Sequence, residues 1–442
     1  MALKRVVITG LGTINPLGND VASTWSALMA GESGAAPITQ FDASLFRSQF
    51  ACEVKNFDPN AWFDFKEQRK LDRFTMLAYV AALEAYKDAA LPEGIDPTRV
   101  GAIVGSGVGG LITLEQQITE HALGNGVPHY SPFLIPSIIT DMAAGYIAIR
   151  LGLKGPNFCT TAACASSAVA FMSAMNHIRL GKADAILVGG SEAEICPVSI
   201  GGFNALRALS TRNDDPKTAS RPFSASRDGF VAGEGAACVM LEEYEHAVKR
   251  GAHIYAELVG YGSTADAFHL TAPDPEGNGA ARVMLDAIKD AGIKPEDVDY
   301  INTHGTSTPI GDLAEAKAVI KAFGEHAYEL NLSSTKSMTG HLLGASGALE
   351  ALITTLALYH QVVPPTINHA EGDDDPNIDP RLNFTFNTPQ KRTLRYAISN
   401  AFGFGGHNAA LAFRAWQAYD QYHVKRNRRR IIVQRLFIYP NV

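Results

Sequence analysis

Cys164 stands among small residues, Thr160-Thr161-Ala162-Ala163-Cys164-Ala165-Ser166-Ser167, and two histidines occupy glycine-rich settings far downstream. These are His304 in Asn302-Thr303-His304-Gly305-Thr306 and His341 in Thr339-Gly340-His341-Leu342. A thiol nucleophile with two imidazoles is a combination suited to thioester chemistry. A free thiol ionises near pH ~8.5 and needs help at neutrality. The apolar pattern from Ala165 to Leu180 predicts a helix, and a helix N-terminus at Cys164 would favour the anion. The alanines and serines around it leave room for an acyl chain and for backbone N–H groups. Taken alone, Cys164 also has the bland reading of a buried structural cysteine, the reading given to Cys52, Cys159, Cys196 and Cys238.

His304 follows a strand-like run and by itself reads as a polar turn residue. His341 lies in Ser333-Ser334-Thr335-Lys336-Ser337-Met338-Thr339-Gly340-His341-Leu342-Leu343-Gly344-Ala345, which gathers a lysine, hydroxyls and glycines just before a small-residue helix. The apolar and hydroxyl neighbours of Lys336 favour a buried, orienting lysine over a solvated one. A third segment, Phe402-Gly403-Phe404-Gly405-Gly406-His407-Asn408, reads either as a hairpin turn or as a mobile hydrophobic lid whose backbone N–H points into a site.

These loops need a frame to bring them together. Strand-like runs ending near glycine recur at 6–10, 100–105, 185–190, 256–260, 298–303 and 396–400, with helical patterns at 76–90, 165–180, 279–291, 312–322 and 345–359. Strands alternating with helices predict an α/β fold. The order strand, helix, strand, small-residue helix, strand occurs twice, which predicts an internal duplication with a boundary near 250–256. Two similar halves would set Cys164 opposite His304, His341 and the 402–407 loop. Residues 106–160 and 191–235 read as substrate-facing insertions on the first half.

Composition bounds the class. The 442 residues, 46% hydrophobic and 19% charged, suffice for one large or two fused cores. Five cysteines without paired or metal-type spacing argue against disulfides and zinc, and for a reducing, cytoplasmic setting. The N-terminus reads as a first strand rather than a signal peptide, and no run of about 18 apolar residues implies a membrane span. The net charge of −7 divides into −12 on residues 1–414 and +5 on 415–442.

The segments CASS, NTHGTSTPIGD, STKSMTGHLLGASGALEA and NAFGFGGHN, together with ALSTRNDDPKTASRPFSASRDGFVAGEGA at 208–236, resemble the elongating β-ketoacyl-[acyl-carrier-protein] synthases in order and spacing. The resemblance is closest to the type II condensing enzymes of dissociated fatty-acid synthesis and covers about residues 3–414. It implies a duplicated thiolase-like fold, five-layered αβαβα with two pseudo-symmetric halves at 1–255 and 256–414. It also implies a homodimer and no organic cofactor, and no metal-ligating residues are expected. The reaction implied is decarboxylative condensation of malonyl-carrier with an acyl chain held on a cysteine.

Position by position, the resemblance makes Cys164 the acyl-accepting nucleophile. His304 and His341 become the pair that promotes malonyl decarboxylation and stabilises the enolate. Lys336 supports the site, with Glu350 and Asp312 behind it. Phe404 is the gating phenylalanine, its backbone N–H and that of Cys164 forming the oxyanion hole. Thr306 and Thr308 fall near the malonyl and pantetheine arm, and Val108, Phe203, Thr271 and Phe402 in the substrate channel. Val108 is intermediate in size and leaves acyl length open.

An acidic acyl carrier protein is the implied partner, with Lys66, Arg69, Lys70 and Arg207 as its docking cations; neither nucleic acid nor a membrane span is expected. Pro128-His129 stands where relatives often place a basic pair. The extension 415–442, with Lys425-Arg426-Asn427-Arg428-Arg429-Arg430, passes the family's usual end and has no assigned role; a basic run is most often a solvated face. A biosynthetic thiolase would need a second cysteine after Cys238, and none follows. A non-catalytic chain-length partner subunit would lack the nucleophile. A synthase for specialised or polyketide-like chains is the alternative the sequence leaves standing.

Overall fold

The structure is a computed structural model and describes residues 3–416. The first half contributes β1 (Val6–Ile14), β2 (Val100–Gly105), β3 (Asn157–Thr160), β4 (Ala185–Glu192) and β5 (Gly235–Glu243). The second contributes β6 (Ala256–Ala265), β7 (Val298–Asn302), β8 (Asn331–Ser333), β9 (Tyr396–Gly403) and β10 (His407–Ala415). The principal helices are α1 (Arg73–Ala89), α2 (Met142–Leu151), α3 (Ser166–Arg179), α4 (Pro197–Ala205), α5 (Asn278–Ala291), α6 (Pro309–Phe323) and α7 (Ser346–His360).

The ten strands run β3-β2-β4-β5-β1-β6-β10-β9-β7-β8. Each half repeats one pattern. Its first strand is antiparallel to its fifth, and the fifth is antiparallel to the fourth. The fourth is parallel to the second, and the second to the third. The halves meet where Val6–Ile8 of β1 pairs antiparallel with residues 256–258 of β6. Helices α3 and α7 touch each other and strands of both halves, so they form a middle layer. The outer layers are α1 and α2 on one side and α5 and α6 on the other. This is the five-layered αβαβα arrangement of the thiolase-like fold.

Local sequence explains the close stacking. All nine residues of β1 are buried, as expected for a strand covered on both faces. A Cβ on Gly12 would lie 2.1 Å from the carbonyl oxygen of Ala81, so only glycine lets α1 lie directly on β1. In the middle layer a Cβ on Gly347 would come within 3.0 Å of the Ala168 nitrogen, which is why α3 and α7 can touch along their small residues. Helix α7 is buried on every side from Ser346 to Leu358. Leu349, Leu352, Ile353, Leu356 and Leu358 each contribute on the order of 1.5–3 kcal/mol of burial there.

Most elements run further than the apolar pattern predicted: β1 reaches Ile14, β6 Ala265 and β9 Gly403. Residues 106–160 are not a plain insertion. They carry helices Leu111–Leu123 and Leu134–Ile138, α2 and the edge strand β3. No helix among the described residues is long and apolar enough to cross a membrane. From residue 417 onward the basic extension lies outside the described residues.

Candidate active site

The chain after β3 turns sharply before α3. Ala163 adopts φ 48°, a left-handed conformation that costs a non-glycine residue about 1–2 kcal/mol. The Ser166 hydroxyl holds that turn, accepting from the Ala162 N–H at 2.8 Å and donating to the Ala163 carbonyl at 2.6 Å. Cys164 therefore precedes the helix by two residues, and its side chain is buried, 8% exposed. Burial pushes the Cys164 thiol up to about 12, while Lys336 and the Phe404 N–H pull it down. Burial thus favours the neutral thiol over the thiolate in the resting site.

His341 follows directly. Its Nε2 lies 3.1 Å from the Cys164 Sγ, and its Nδ1 lies 2.9 Å from the Ser346 hydroxyl at the start of α7. The Ser346 oxygen also accepts the Leu342 N–H at 2.9 Å. That hydroxyl can donate to Nδ1 or accept from it, so His341 can turn either an N–H or a lone pair toward Cys164. Two backbone bonds, His341 N–H to Val231 O at 2.8 Å and Gly233 N–H to His341 O at 2.9 Å, pin the residue. Phe230 packs edge-on against its ring at 5.3 Å.

His304 stands across from it, the two rings 5.4 Å apart and nearly perpendicular. The Glu315 carboxylate on α6 accepts the N–H groups of His304 at 2.9 Å and Gly305 at 2.7 Å, and Asn400 of β9 donates to it at 3.1 Å. Asp312 holds the next stretch by accepting from Ser307 N–H at 3.1 Å and Phe223 N–H at 2.8 Å. Ser307 needs that support at φ 70°. The hydroxyls of Thr306 and Thr308 are 3.0 Å apart.

Lys336 is buried and paired with Glu350. Burial first, then the Lys336 charge, holds His304 and His341 well below the ordinary imidazole range, so both rings are neutral at pH 7. Neutral N–H groups suit hydrogen bonding to a developing oxyanion without surrendering a proton to it.

The third loop is the hairpin joining β9 to β10, with Gly405 at φ 86° and Gly406 at φ 72°. A Cβ on Gly403 would lie 2.8 Å from the Ala162 carbonyl and 3.1 Å from the Cys164 nitrogen, so the hairpin backbone runs against the nucleophile's turn. Its outer side is tied to the 266–270 segment through Gly405 N–H to Leu270 O at 2.7 Å and Asp266 N–H to Gly406 O at 3.0 Å. Phe404 is thus both part of a hairpin turn and a wall of the site.

A cavity of about 570 Å³ joins these parts, lined by Cys164, His304, His341 and Phe404. Val108, Phe203, Thr271, Thr306, Thr308 and Phe402 also line it, and Arg207 stands at its wall. Lys336, Glu350 and Asp312 lie behind it and do not line it. Lys66, Arg69 and Lys70 are exposed and apart from it, on and just after the short helix Phe65–Gln68. Ser346, Glu315, Phe230 and Glu192 escaped the sequence reading. Glu192 accepts from Gly107 N–H at 2.7 Å and Val108 N–H at 3.1 Å, which fixes Val108 at the cavity wall. Among the described residues no group of three or more His, Cys, Asp or Glu is arranged to hold a metal ion.

Residues 3–247 match the N-terminal domain of β-ketoacyl synthases and residues 255–370 the C-terminal domain. The chain is 50% identical over 417 residues to 3-oxoacyl-[acyl-carrier-protein] synthase 2 of Synechocystis sp., spanning 94% of this chain and 99% of that one. It is 49% identical over 412 residues to the protein of the same name from Coxiella burnetii, spanning 93% and 98%. Among solved structures it resembles a type II polyketide ketosynthase captured with its acyl-carrier protein and a hexaketide (36% identity, TM-score 0.86, 94% of this chain, 100% of that one). It equally resembles a β-ketoacyl synthase from Burkholderia phymatum (35% identity, TM-score 0.86, the same coverage).

Proposed function

The chain belongs to the β-ketoacyl synthase family, and we propose that Cys164 carries the acyl chain while His304 and His341 act on the malonyl thioester. The reaction is an acyl transfer, the decarboxylative condensation that elongates fatty acids. The single observation that carries the residue assignment is the contact of the Cys164 sulfur with His341 Nε2, facing His304 across one cavity.

In the first half-reaction the acyl thioester's carbonyl oxygen sits between the N–H groups of Cys164 and Phe404. Cys164 attacks, its proton passes to His341 Nε2, and the same nitrogen returns it to the departing thiol. Between the half-reactions the ring changes tautomer, releasing its Nδ1 proton to water and taking one from water on Nε2, and Ser346 then donates to the bare Nδ1 and holds the N–H on Nε2. In the second half-reaction the malonyl thioester oxygen lies between the two imidazoles. Loss of CO₂ leaves an enolate whose charge they stabilise, and its carbon attacks the acyl-cysteine. The thioester bond to Cys164 breaks, the β-ketoacyl thioester leaves, and the sulfur takes up one proton from water to return to the thiol.

The partner we infer is an acyl carrier protein, received near the exposed Lys66, Arg69, Lys70 and Arg207. A homodimer is supported by β3, which ends the sheet with one edge unpaired among the described residues, and by the exposed apolar residues Phe133, Ile135 and Ile139. The repeated strand order favours residues 1–255 and 256–414 as the two duplicated units. The five free cysteines favour a cytoplasmic setting. Higher identity to the synthase 2 proteins than to the polyketide ketosynthase favours fatty acyl substrates over polyketide-like ones.

The test separates the two halves. Cys164→Ala abolishes condensation while release of CO₂ from malonyl-carrier persists or rises, because decarboxylation uses the imidazoles and not the thiol. Condensation by the Cys164→Ala protein at the wild-type rate contradicts the assignment.

A further inference from the structure

Residues 193–196 lead from β4 into α4, and Ile195 packs with Ile200, Phe230 and Leu343 around Cys164. Within this segment Glu194 is 0% exposed, and neither carboxyl oxygen has a hydrogen-bond partner among the described residues. Its acidic neighbours are placed differently. Glu192 accepts four hydrogen bonds, from Ser106 Oγ at 2.9 Å and the N–H groups of Gly107 at 2.7 Å, Val108 at 3.1 Å and Gly344 at 2.9 Å. Glu234 takes a two-pronged bond from Arg73 at 2.8 and 2.7 Å, with Val54 N–H and Gln40 each at 3.0 Å. Both therefore have donors on their carboxylate oxygens.

Glu194 has burial without donors and two further carboxyl groups near enough to act on it. An ionised carboxylate in that position loses its hydration and gains nothing in return. Burial first, then the charges of Glu192 and Glu234, holds its carboxyl well above the ordinary range. The groups that face it are those two carboxylates, the thiols of Cys164 and Cys196, and Arg73 through Glu234. Negative charge on either Glu192 or Glu194 opposes formation of the Cys164 thiolate, and Lys336 is the cation that offsets it.

We propose that Glu194 is a neutral carboxylic acid in the working enzyme, a positioning residue whose loss of a proton sets the alkaline limit of acyl transfer to Cys164. This rests on Cys164 as the nucleophile, but the state of Glu194 can be read without it. An acid held protonated by the fold lowers stability progressively as pH rises above the unfolded value of ~4.3. Glu194→Gln carries no titrating proton and is free of that loss.

Thermal melts of the full-length wild type and of Glu194→Gln and Glu194→Met, from about pH 4 to pH 9, read the prediction directly. The difference in Tm between each variant and wild type should grow in the variant's favour with rising pH, whatever its offset at low pH. A difference independent of pH, or one moving the other way, overturns the neutral acid. The second arm is the pH profile of single-turnover self-acylation. Its alkaline limb should move to higher pH in Glu194→Gln, and an unmoved limb overturns the link to Cys164. Absence of any Cys164 acyl-enzyme in the wild type overturns the nucleophile assignment instead, while the melting series still decides the state of Glu194.

Discussion

Ser346→Ala tests the idea that a hydroxyl sets which way His341 turns its N–H. In the wild type one oxygen serves two buried groups, the Leu342 N–H and His341 Nδ1, each at 2.9 Å. Alanine leaves both without a partner. A buried donor orphaned in this way costs about 1–3 kcal/mol, so a lower melting temperature with a folded protein is expected. For catalysis the relevant loss is one hydrogen bond of ~1 kcal/mol that holds the Nε2–H tautomer, which corresponds to a roughly five- to tenfold slower step. The assay is CO₂ release from malonyl-carrier with its kcat and KM separated. The fall should appear in kcat, because the interaction strengthens as charge develops on the enolate. A folded Ser346→Ala protein that decarboxylates at the wild-type rate refutes the tautomer argument.

Phe404→Ala should slow formation of the acyl-enzyme in rapid-quench experiments and leave the circular dichroism spectrum and melting temperature close to wild type, since Phe404 lines the cavity wall and lies outside the packed core. Lys336→Met removes the charge that helps hold both imidazoles neutral. Glu350, already lifted by burial, then takes up a proton. The imidazole values rise toward the ordinary range, so activity should fail at higher pH than in wild type as the medium is acidified. An acid limb that stays in place in the pH–rate profile counts against that role for Lys336.

Much of this was legible in the sequence, and the failures have physical causes. Strands such as Ala185–Glu192 announce themselves through β-branched runs, but Gly235–Glu243 opens on small residues, Gly-Ala-Ala-Cys, and His407–Ala415 is rich in alanine, and both are largely buried, so neither propensity nor alternation marks them. Cys164, His304, His341 and Phe404 were found because their loops combine reactive or aromatic groups with glycine. Ser346 was not, because a serine in Gly344-Ala345-Ser346-Gly347-Ala348 reads as one more small residue between packed helices. Glu192 and Glu194 sit two apart at the end of a strand, where charged residues usually meet water; only the folded chain shows both buried. The state of the Cys164 thiol was hard to read for a related reason. The sequence marks the helix but not the depth of burial, and burial governs the thiol.

The central claim is that the acyl chain is held on Cys164, and mass spectrometry of the intact enzyme after incubation with acyl-carrier thioesters of graded length tests it most directly. The account predicts a mass increase of one acyl group, located by peptide mapping to Cys164, lost in Cys164→Ala and varying with chain length. An acyl group on another residue, or one that persists in Cys164→Ala, contradicts it.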